Sequence, residues 1–204
     1  MKKYLLMLML VLLPLSGWAQ GKVYTKKLKL ADFTQETTKV VLSGDGVYQA
    51  LLQSEFSRRW RINAFEFCTA DEYEAMKADR RYYFLRTAAD EQVAYLILDK
   101  GGKPDDKDQL QQGFEVIRIP IYALDNPGVE VEHLGAFIDI LQQYMTDALE
   151  SDKVAYAGLA HYNAPRAIRR SDPATLVNLE IGPYEMVFSA ETHELYRFRK
   201  NRKK

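Results

Sequence analysis

The 204-residue chain has little cysteine, little histidine and no net charge: one Cys, three His, and 28 Lys and Arg against 28 Asp and Glu. A single cysteine excludes an intramolecular disulfide framework and a cysteine-rich zinc site. Zero net charge argues against a nucleic-acid-binding protein that works through overall electrostatic attraction. The composition, 47% hydrophobic and 12% aromatic, excludes wholesale disorder, which combines low hydrophobicity with high net charge.

Residues 1–19 have the three parts of a secretory signal peptide. Lys2 and Lys3 form a positive start, residues 4–15 form an apolar stretch, and the small residues Gly17 and Ala19 precede a cleavage point. The apolar stretch is shorter than the about 20 residues that a transmembrane helix needs. A cleaved signal is therefore favoured over a membrane anchor, and we expect a soluble protein exported to the periplasm or secreted.

Hydrophobic periodicity predicts two long amphipathic helices, at 47–60 and 134–149, with Asp45 as the N-cap of the first. Their apolar stripes consist of Val47, Tyr48, Leu51, Leu52, Phe56 and Trp60 in the first helix and of Leu134, Phe137, Ile138, Leu141, Tyr144, Met145 and Leu149 in the second. Two short helices are predicted at 69–78 and 189–198. Thr69 and Glu72 have the spacing of a capping box at the start of the earlier one.

Short runs rich in β-branched and aromatic residues predict the strands. They are an edge strand within 22–33 and further strands at 39–42, 62–68, 81–86, 93–98, 114–122 and 183–188. The unbroken apolar run at 93–98 is typical of a central strand, paired in a hairpin with the strand before it. Pro120 places the end of its strand at an edge or a bulge.

These patterns predict an α/β (α+β) fold in which two long and two short amphipathic helices pack on a mixed sheet. Residues 20–198 are expected to form a single domain, and residues 199–204 a basic C-terminal tail. Residues 65–71 resemble residues 184–191, because in each a strand runs into a hydroxyl N-cap, an Ala and an acid. This similarity indicates either an internal duplication or two ordinary junctions between a strand and a capped helix.

No catalytic or metal-binding motif stands out. Cys68 is either a nucleophile served by one of the histidines or a small apolar residue at a strand end, and the second hypothesis is favoured. The segments 130–133 and 191–194 place acids beside His133 and His193, but neither has the spacing of a zinc site. The acidic segment 105–108 lacks the pattern of a calcium-binding loop. No metal or cofactor is expected.

Thirteen tyrosines are a high count for this length. Tyr73, Tyr82, Tyr83 and Tyr95 lie in a region rich in strands. On an exposed sheet face such rings could stack against a glycan, although tyrosines half-buried in a sheet are more common.

The segment 151–182, hereafter the connector, has no clean period and is the predicted functional surface. It combines hydrogen-bonding, aromatic and cationic side chains in a short span, and its candidate binding residues are Tyr156, His161, Tyr162, Asn163 and Arg166. The alternative is an ordinary crossover that lies over the sheet, in which Asn163 and Asp172 satisfy buried backbone groups.

Three segments resemble small exported proteins of unknown function from Bacteroidetes. They are the end of the signal peptide at 18–20, the strand at 65–69, and the stretch 191–196. The resemblance implies a Gram-negative envelope and no assigned activity, and it carries no catalytic residue over to this chain.

The sequence thus favours a non-enzymatic periplasmic or secreted binding or accessory domain of the cell envelope. The expected partner is an envelope protein or a glycan, with no nucleic acid and no integral membrane segment after signal cleavage. The basic tail could also contact an anionic surface. The alternative is an envelope hydrolase whose site lies on the connector.

Overall fold

A computed structural model describes residues 24–42, 44 and 46–201 of the chain. These residues have a mixed α+β fold with one five-stranded sheet, one three-stranded sheet and six α-helices. The signal peptide, the Asp45 cap and residues 202–204 of the basic tail lie outside the described residues. Across those that are described, no helix is both long enough and apolar enough to cross a membrane.

Helices and strands alternate from α1 to β3, and the chain ends in a β-meander. In chain order they are α1 (Lys26–Lys29), β1 (Thr37–Leu42), α2 (Gly46–Arg59), β2 (Phe65–Thr69), α3 (Ala70–Met76), β3 (Tyr82–Ala89), β4 (Val93–Lys100), β5 (Phe114–Ala123), α4 (Val129–Glu150), α5 (Asp152–Ala157), α6 (Pro165–Arg170), β6 (Leu176–Ile181), β7 (Tyr184–Ser189) and β8 (Leu195–Lys200). Two short 3₁₀ turns, Gly158–His161 and Pro173–Thr175, lie within the connector.

The five-stranded sheet has the order β2-β1-β3-β4-β5. β1 pairs in parallel with both β2 and β3, while β3, β4 and β5 are antiparallel. Parallel neighbours need a crossover connection, which α2 provides between β1 and β2. The predicted hairpin and the central position of β4 are confirmed. The prediction for Pro120 is also confirmed, because this residue lies on the edge strand β5 next to a register shift.

The two long helices cover one face of this sheet. Tyr48 of α2 places its hydroxyl 3.2 Å from that of Thr87 on β3, and the Tyr144 hydroxyl of α4 donates to the Val116 carbonyl of β5 at 3.4 Å. The predicted stripe of α4 is confirmed, with Leu134, Phe137, Ile138, Leu141, Tyr144 and Met145 buried and Leu149 partly buried against the core. In α2 the stripe is confirmed except at its first residue, since Val47 is 75% exposed.

The predicted edge strand within 22–33 is wrong, because this segment forms α1 and the turns that follow it. Thr25 caps α1 through its side chain, and Leu30 and Phe33, one helical turn apart, are fully buried. Asp32 then accepts hydrogen bonds from the Lys100 ammonium at 2.7 and 2.8 Å and from the Tyr83 hydroxyl at 2.7 Å. This ion pair, whose Lys100 side chain is buried, holds the segment against the sheet.

The predicted helix at 189–198 is also wrong, because the chain turns back on itself and forms β8. The Ser189 hydroxyl accepts from the backbone of Thr192 at 3.1 Å, as an N-cap does. However, His193 has φ +59°, which ends the helical turn, and residues 195–200 pair with β7. The similarity between 65–71 and 184–191 is therefore not a structural repeat, since only the first copy leads into a helix. There, the Thr69–Glu72 capping box is confirmed.

Candidate functional site

The second face of the five-stranded sheet carries charged side chains. The strand register aligns one row across all five strands, namely Glu66, Lys39, Phe84, Asp99 and Glu115. The Asp99 side chain keeps 18% exposure, whereas that of its neighbour Lys100, on the helix-covered face, keeps 3%. A groove large enough for a small-molecule ligand lies on this face of the sheet.

The groove has a volume of about 390 Å³ and lies between the end of α3 and the segment 101–113, hereafter the glycine loop. Its floor is formed by Phe84, Arg86 and Asp99 of β3 and β4. The remaining lining comes from Tyr73, Lys77, Ala78, Lys100, Gly102, Lys103, Pro104, Gly113, Phe114 and Glu115. Its volume lies in the range of about 300–1,000 Å³ that is usual for small-molecule sites.

Glycines at both ends of the glycine loop explain how it closes beside the groove. Gly102 has φ +135°, and a Cβ on Gly113 would lie 2.3 Å from the Gly102 carbonyl oxygen. Only glycine allows this backbone conformation and this close approach without strain. The Gly102 N–H also donates to the Lys77 carbonyl at the end of α3, at 3.1 Å. The two walls of the groove are therefore joined at one end.

Two acidic side chains of the glycine loop accept hydrogen bonds from the backbone of the loop itself. The Asp106 carboxylate accepts from the Asp108 N–H, and the Asp108 carboxylate accepts from the Leu110 N–H, both at 3.0 Å. Within the part of the chain that the structure describes, no group of three or more His, Cys, Asp or Glu is placed to hold a metal ion.

An ion pair forms the polar centre of the groove floor. The Arg86 Nε donates to Asp99 Oδ2 at 2.6 Å, and the two side chains are 27% and 18% exposed. Burial raises the pKa of Asp99, the Arg86 charge opposes this shift, and the Glu115 charge adds to it. Perturbed carboxyl groups in clefts are concentrated at functional sites.

This ion pair leaves hydrogen-bonding atoms unused. Among the described residues, nothing bonds to Asp99 Oδ1 or to the two terminal nitrogens of Arg86. The floor therefore presents donors and an acceptor side by side. The Tyr73 ring at the side of the groove is half-buried, and it contacts Phe84 edge-on at 5.2 Å between centroids. Phe114 pairs with Lys100, so its ring lies on the helix-covered face, near the Lys29 ammonium.

The structure places the five predicted binding residues of the connector in different environments. Tyr162 is buried, and its hydroxyl donates to Asp147 at 2.8 Å. Tyr156 is 65% exposed, and its hydroxyl accepts from the Lys26 N–H at 3.1 Å. His161, Asn163 and Arg166 are exposed. Only His161 and Tyr162 have rings in contact, at 5.5 Å.

The middle of the connector also has a structural role. The Phe198 N–H donates to the Tyr162 carbonyl at 3.1 Å, and the Ala164 N–H donates to the Tyr196 carbonyl at 2.7 Å. Asn163 pairs with Arg197 between these two bonds. Residues 162–164 therefore satisfy backbone groups along the outer edge of β8, which would otherwise expose them. The role of the connector as a functional surface stays a prediction.

A second polar cluster joins α2, α4 and the turn between β7 and β8. Asp139 Oδ2 lies 2.7 Å from His193 Nδ1 and accepts from Arg59 Nη1, while Arg59 Nε donates to Glu55 at 2.6 Å. In the tautomer that this geometry favours, His193 donates from Nδ1, and Nε2 has no hydrogen-bond partner among the described residues. His193 lines a cleft of about 190 Å³.

The sequence analysis missed both the groove and the Asp139–His193 contact. His193 was considered only with its immediate acidic neighbours, and its carboxylate partner lies 54 residues earlier. For the groove, two signals were present: a central strand ending in Asp99, and a loop bounded by glycines. Neither shows by itself that α3 and the glycine loop approach each other.

Cys68 lies at the end of β2 and is 4% exposed. Burial raises the pKa of its thiol, with a further contribution from the charge of Glu72. At neutral pH the thiol is therefore protonated and shielded, which favours the structural hypothesis over a nucleophile.

Comparisons of the chain with protein-family models, curated proteins and solved structures give no match. The resemblance to exported Bacteroidetes proteins therefore stays an expectation from the sequence.

Proposed function

We propose that this protein is an exported, non-enzymatic binding domain of the bacterial envelope and that its ligand lies in the groove between α3 and the glycine loop. The observation that supports this function is the half-buried Arg86–Asp99 pair, with unused donors and an acceptor, beside the Tyr73 ring. A binding site needs convergent polar groups in a cleft, and this groove has them.

Export is the part of the proposal that depends on the sequence alone. Cleavage is expected between Ala19 and Gln20, after the small residues that a signal peptidase requires. N-terminal sequencing or the intact mass of the exported protein checks this directly. Recovery of residues 1–19 in a membrane fraction would contradict it.

The binding function can be tested with envelope fractions in place of a purified ligand. ¹⁵N-labelled mature protein is titrated separately with glycan, peptide and lipid fractions of a Gram-negative envelope, and amide shifts are followed by NMR. We expect one fraction to shift the amides of Gly102, Lys103 and Gly113, and not those of the connector residues His161 and Arg166.

The matched control replaces the groove pair by apolar residues, in the variant Arg86→Met/Asp99→Leu. An apolar replacement of a paired Arg and Asp is often neutral for stability, because it also removes their desolvation cost. The folded variant should lose the shifts. Shifts that persist in the variant, or that map to the connector, would reject the groove as the site.

The hydrolase alternative is favoured by one observation, and it lies away from the connector. The carboxylate of Asp139 orients His193 so that Nε2 is available as a base, which is the arrangement that acid–base catalysis uses. A panel of ester and glycoside substrates, tested on the mature protein and on His193→Ala, decides this. Turnover that is lost in the variant would support the hydrolase.

A further inference from the structure

The groove floor selects for groups that both donate and accept hydrogen bonds. The terminal nitrogens of Arg86 can only donate, and the free oxygen of the ionised Asp99 can only accept. A ligand group that bridges them must accept from one and donate to the other. Adjacent hydroxyl groups on one molecule meet this requirement at both positions.

The charges around the groove argue against an ionic ligand. Arg86 is paired with Asp99, Lys77 with Glu74, and Glu115 with Arg118. Lys100 is paired with Asp32, so that the exposed Lys103 is the only charged lining residue without an ion pair among the described residues. The lining therefore offers little uncompensated charge, and a neutral polar ligand fits it better than an anion or a cation.

Tyr73 of α3 adds an apolar surface to the lining of the groove. Tyr73 is half-buried, so part of its ring remains accessible beside the floor. A flat molecule that carries hydroxyl groups on its rim and C–H groups on its faces would satisfy the floor and a wall together. A pyranose ring with equatorial hydroxyls has this shape.

We infer that the groove binds a neutral saccharide, with adjacent equatorial hydroxyls on Arg86 and Asp99 and the face of a pyranose ring on Tyr73. This inference rests on the proposed binding function and names the class of its ligand. The saccharide hydroxyls accept from the guanidinium and donate to Asp99 Oδ1, in place of water.

The experiment titrates the mature protein with cellobiose, diacetylchitobiose and lactose, and follows the amides of Gly102, Lys103 and Gly113 by NMR. Mannitol, which has adjacent hydroxyls but no ring face, and triglycine, which has peptide donors and acceptors, are the comparison ligands. We expect saturable shifts with at least one disaccharide, and affinity weaker by about tenfold or more for mannitol, since the ring contact is lost.

Variants separate the floor from the wall. Arg86→Met/Asp99→Leu should weaken disaccharide binding by about tenfold or more, because hydrogen bonds to charged groups are lost. Tyr73→Ser should weaken disaccharide binding more than mannitol binding. Arg58→Met, which changes an exposed arginine outside the groove, should bind as the wild type does.

Two outcomes would overturn the saccharide inference and leave the binding function in place. One is saturation of the groove by triglycine and by none of the disaccharides. The other is a groove that responds to an envelope fraction in the earlier titration but to no disaccharide. If neither fractions nor disaccharides shift the groove amides, the proposed function itself fails.

Discussion

At the scale of single residues, Asp90, in the turn before β4, and Asp99, near the end of β4, have opposite electrostatic environments. Asp90 accepts from the N–H groups of Gln92 at 2.9 Å and Val93 at 2.8 Å and from the Tyr95 hydroxyl at 2.7 Å. These bonds, led by the one from Gln92, lower its pKa. Asp99 is instead half-buried in the groove floor, and this burial raises its pKa.

A titration of both carboxyl groups checks this contrast. We expect the pKa of Asp99 above the ordinary value of about 3.9 and that of Asp90 below it, as measured by ¹³C NMR of the mature protein. Stability due to Asp90 is present above its unfolded pKa and is lost as the pH falls through its folded pKa. For Asp99 the sign is reversed, so stability falls as the pH rises from its unfolded to its folded pKa. Equal pKa values would refute the groove environment described above.

At the scale of elements, the two long helices are held by their apolar stripes. Leu52 of α2 and Leu141 of α4 are each 1% exposed within the same hydrophobic core. Leu52→Ala or Leu141→Ala should each lower the free energy of unfolding by about 2–5 kcal/mol, through lost burial and the remaining cavity. Chemical denaturation measures this.

Val131→Ala is the control for these two substitutions, since Val131 lies on α4 and is 46% exposed. It should change the free energy of unfolding by no more than about 0.5 kcal/mol. If the buried and exposed substitutions had equal effects, the assignment of the stripes to the core would be wrong.

The exposed and buried residues of the connector should differ in their effect on stability when they are replaced. His161 and Arg166 are exposed, whereas Tyr162 is 7% exposed and bonded to Asp147. The double change of His161 and Arg166 to Ala should leave stability nearly unaltered, while Tyr162→Ala should cost at least about 3 kcal/mol. Loss of envelope binding in the stable double variant would support the hypothesis that the connector is the functional surface. A large loss of stability in that variant would instead show that the exposed residues of the connector have a structural role.

At the scale of the whole molecule, the two sheets contribute to one hydrophobic core, which includes Val93 and Tyr95 of β4 and Phe188 of β7. A Cβ on Gly182 would lie 2.7 Å from the Val93 side chain, so the β6–β7 turn closely approaches β4. The Tyr95 and Tyr184 hydroxyls lie 3.3 Å apart.

This shared core leads us to expect a single cooperative unfolding transition for the mature protein. Calorimetry should give equal calorimetric and van't Hoff enthalpies. Earlier loss of hydrogen-exchange protection in β6, β7 and β8 than in β3 and β4 would show instead that the three-stranded sheet unfolds as a separate unit.

The elements that sequence analysis predicted correctly are those whose signals are local. The stripe of α4, the Thr69–Glu72 capping box and the β3–β4 hairpin each depend on residues a few positions apart, which adopt the same conformation in most contexts. The two wrong assignments involve competing local signals. At 22–33 a weak alternation indicated a strand, although Leu30 and Phe33 are spaced as on a helical turn. At 189–198 a genuine hydroxyl cap indicated a helix, although pairing with β7 outweighed it.

The sequence by itself determined the α+β class, the two long helices and the central strand, because hydrophobic periodicity records which face of an element is buried. Only the tertiary structure decided the rest. Asp32 meets Lys100, Asp139 meets His193, and α3 meets the glycine loop through contacts between segments far apart in the chain. Such contacts produce no periodic pattern in the sequence. Their free energy depends on how the elements pack and not on the spacing of residues within any one element.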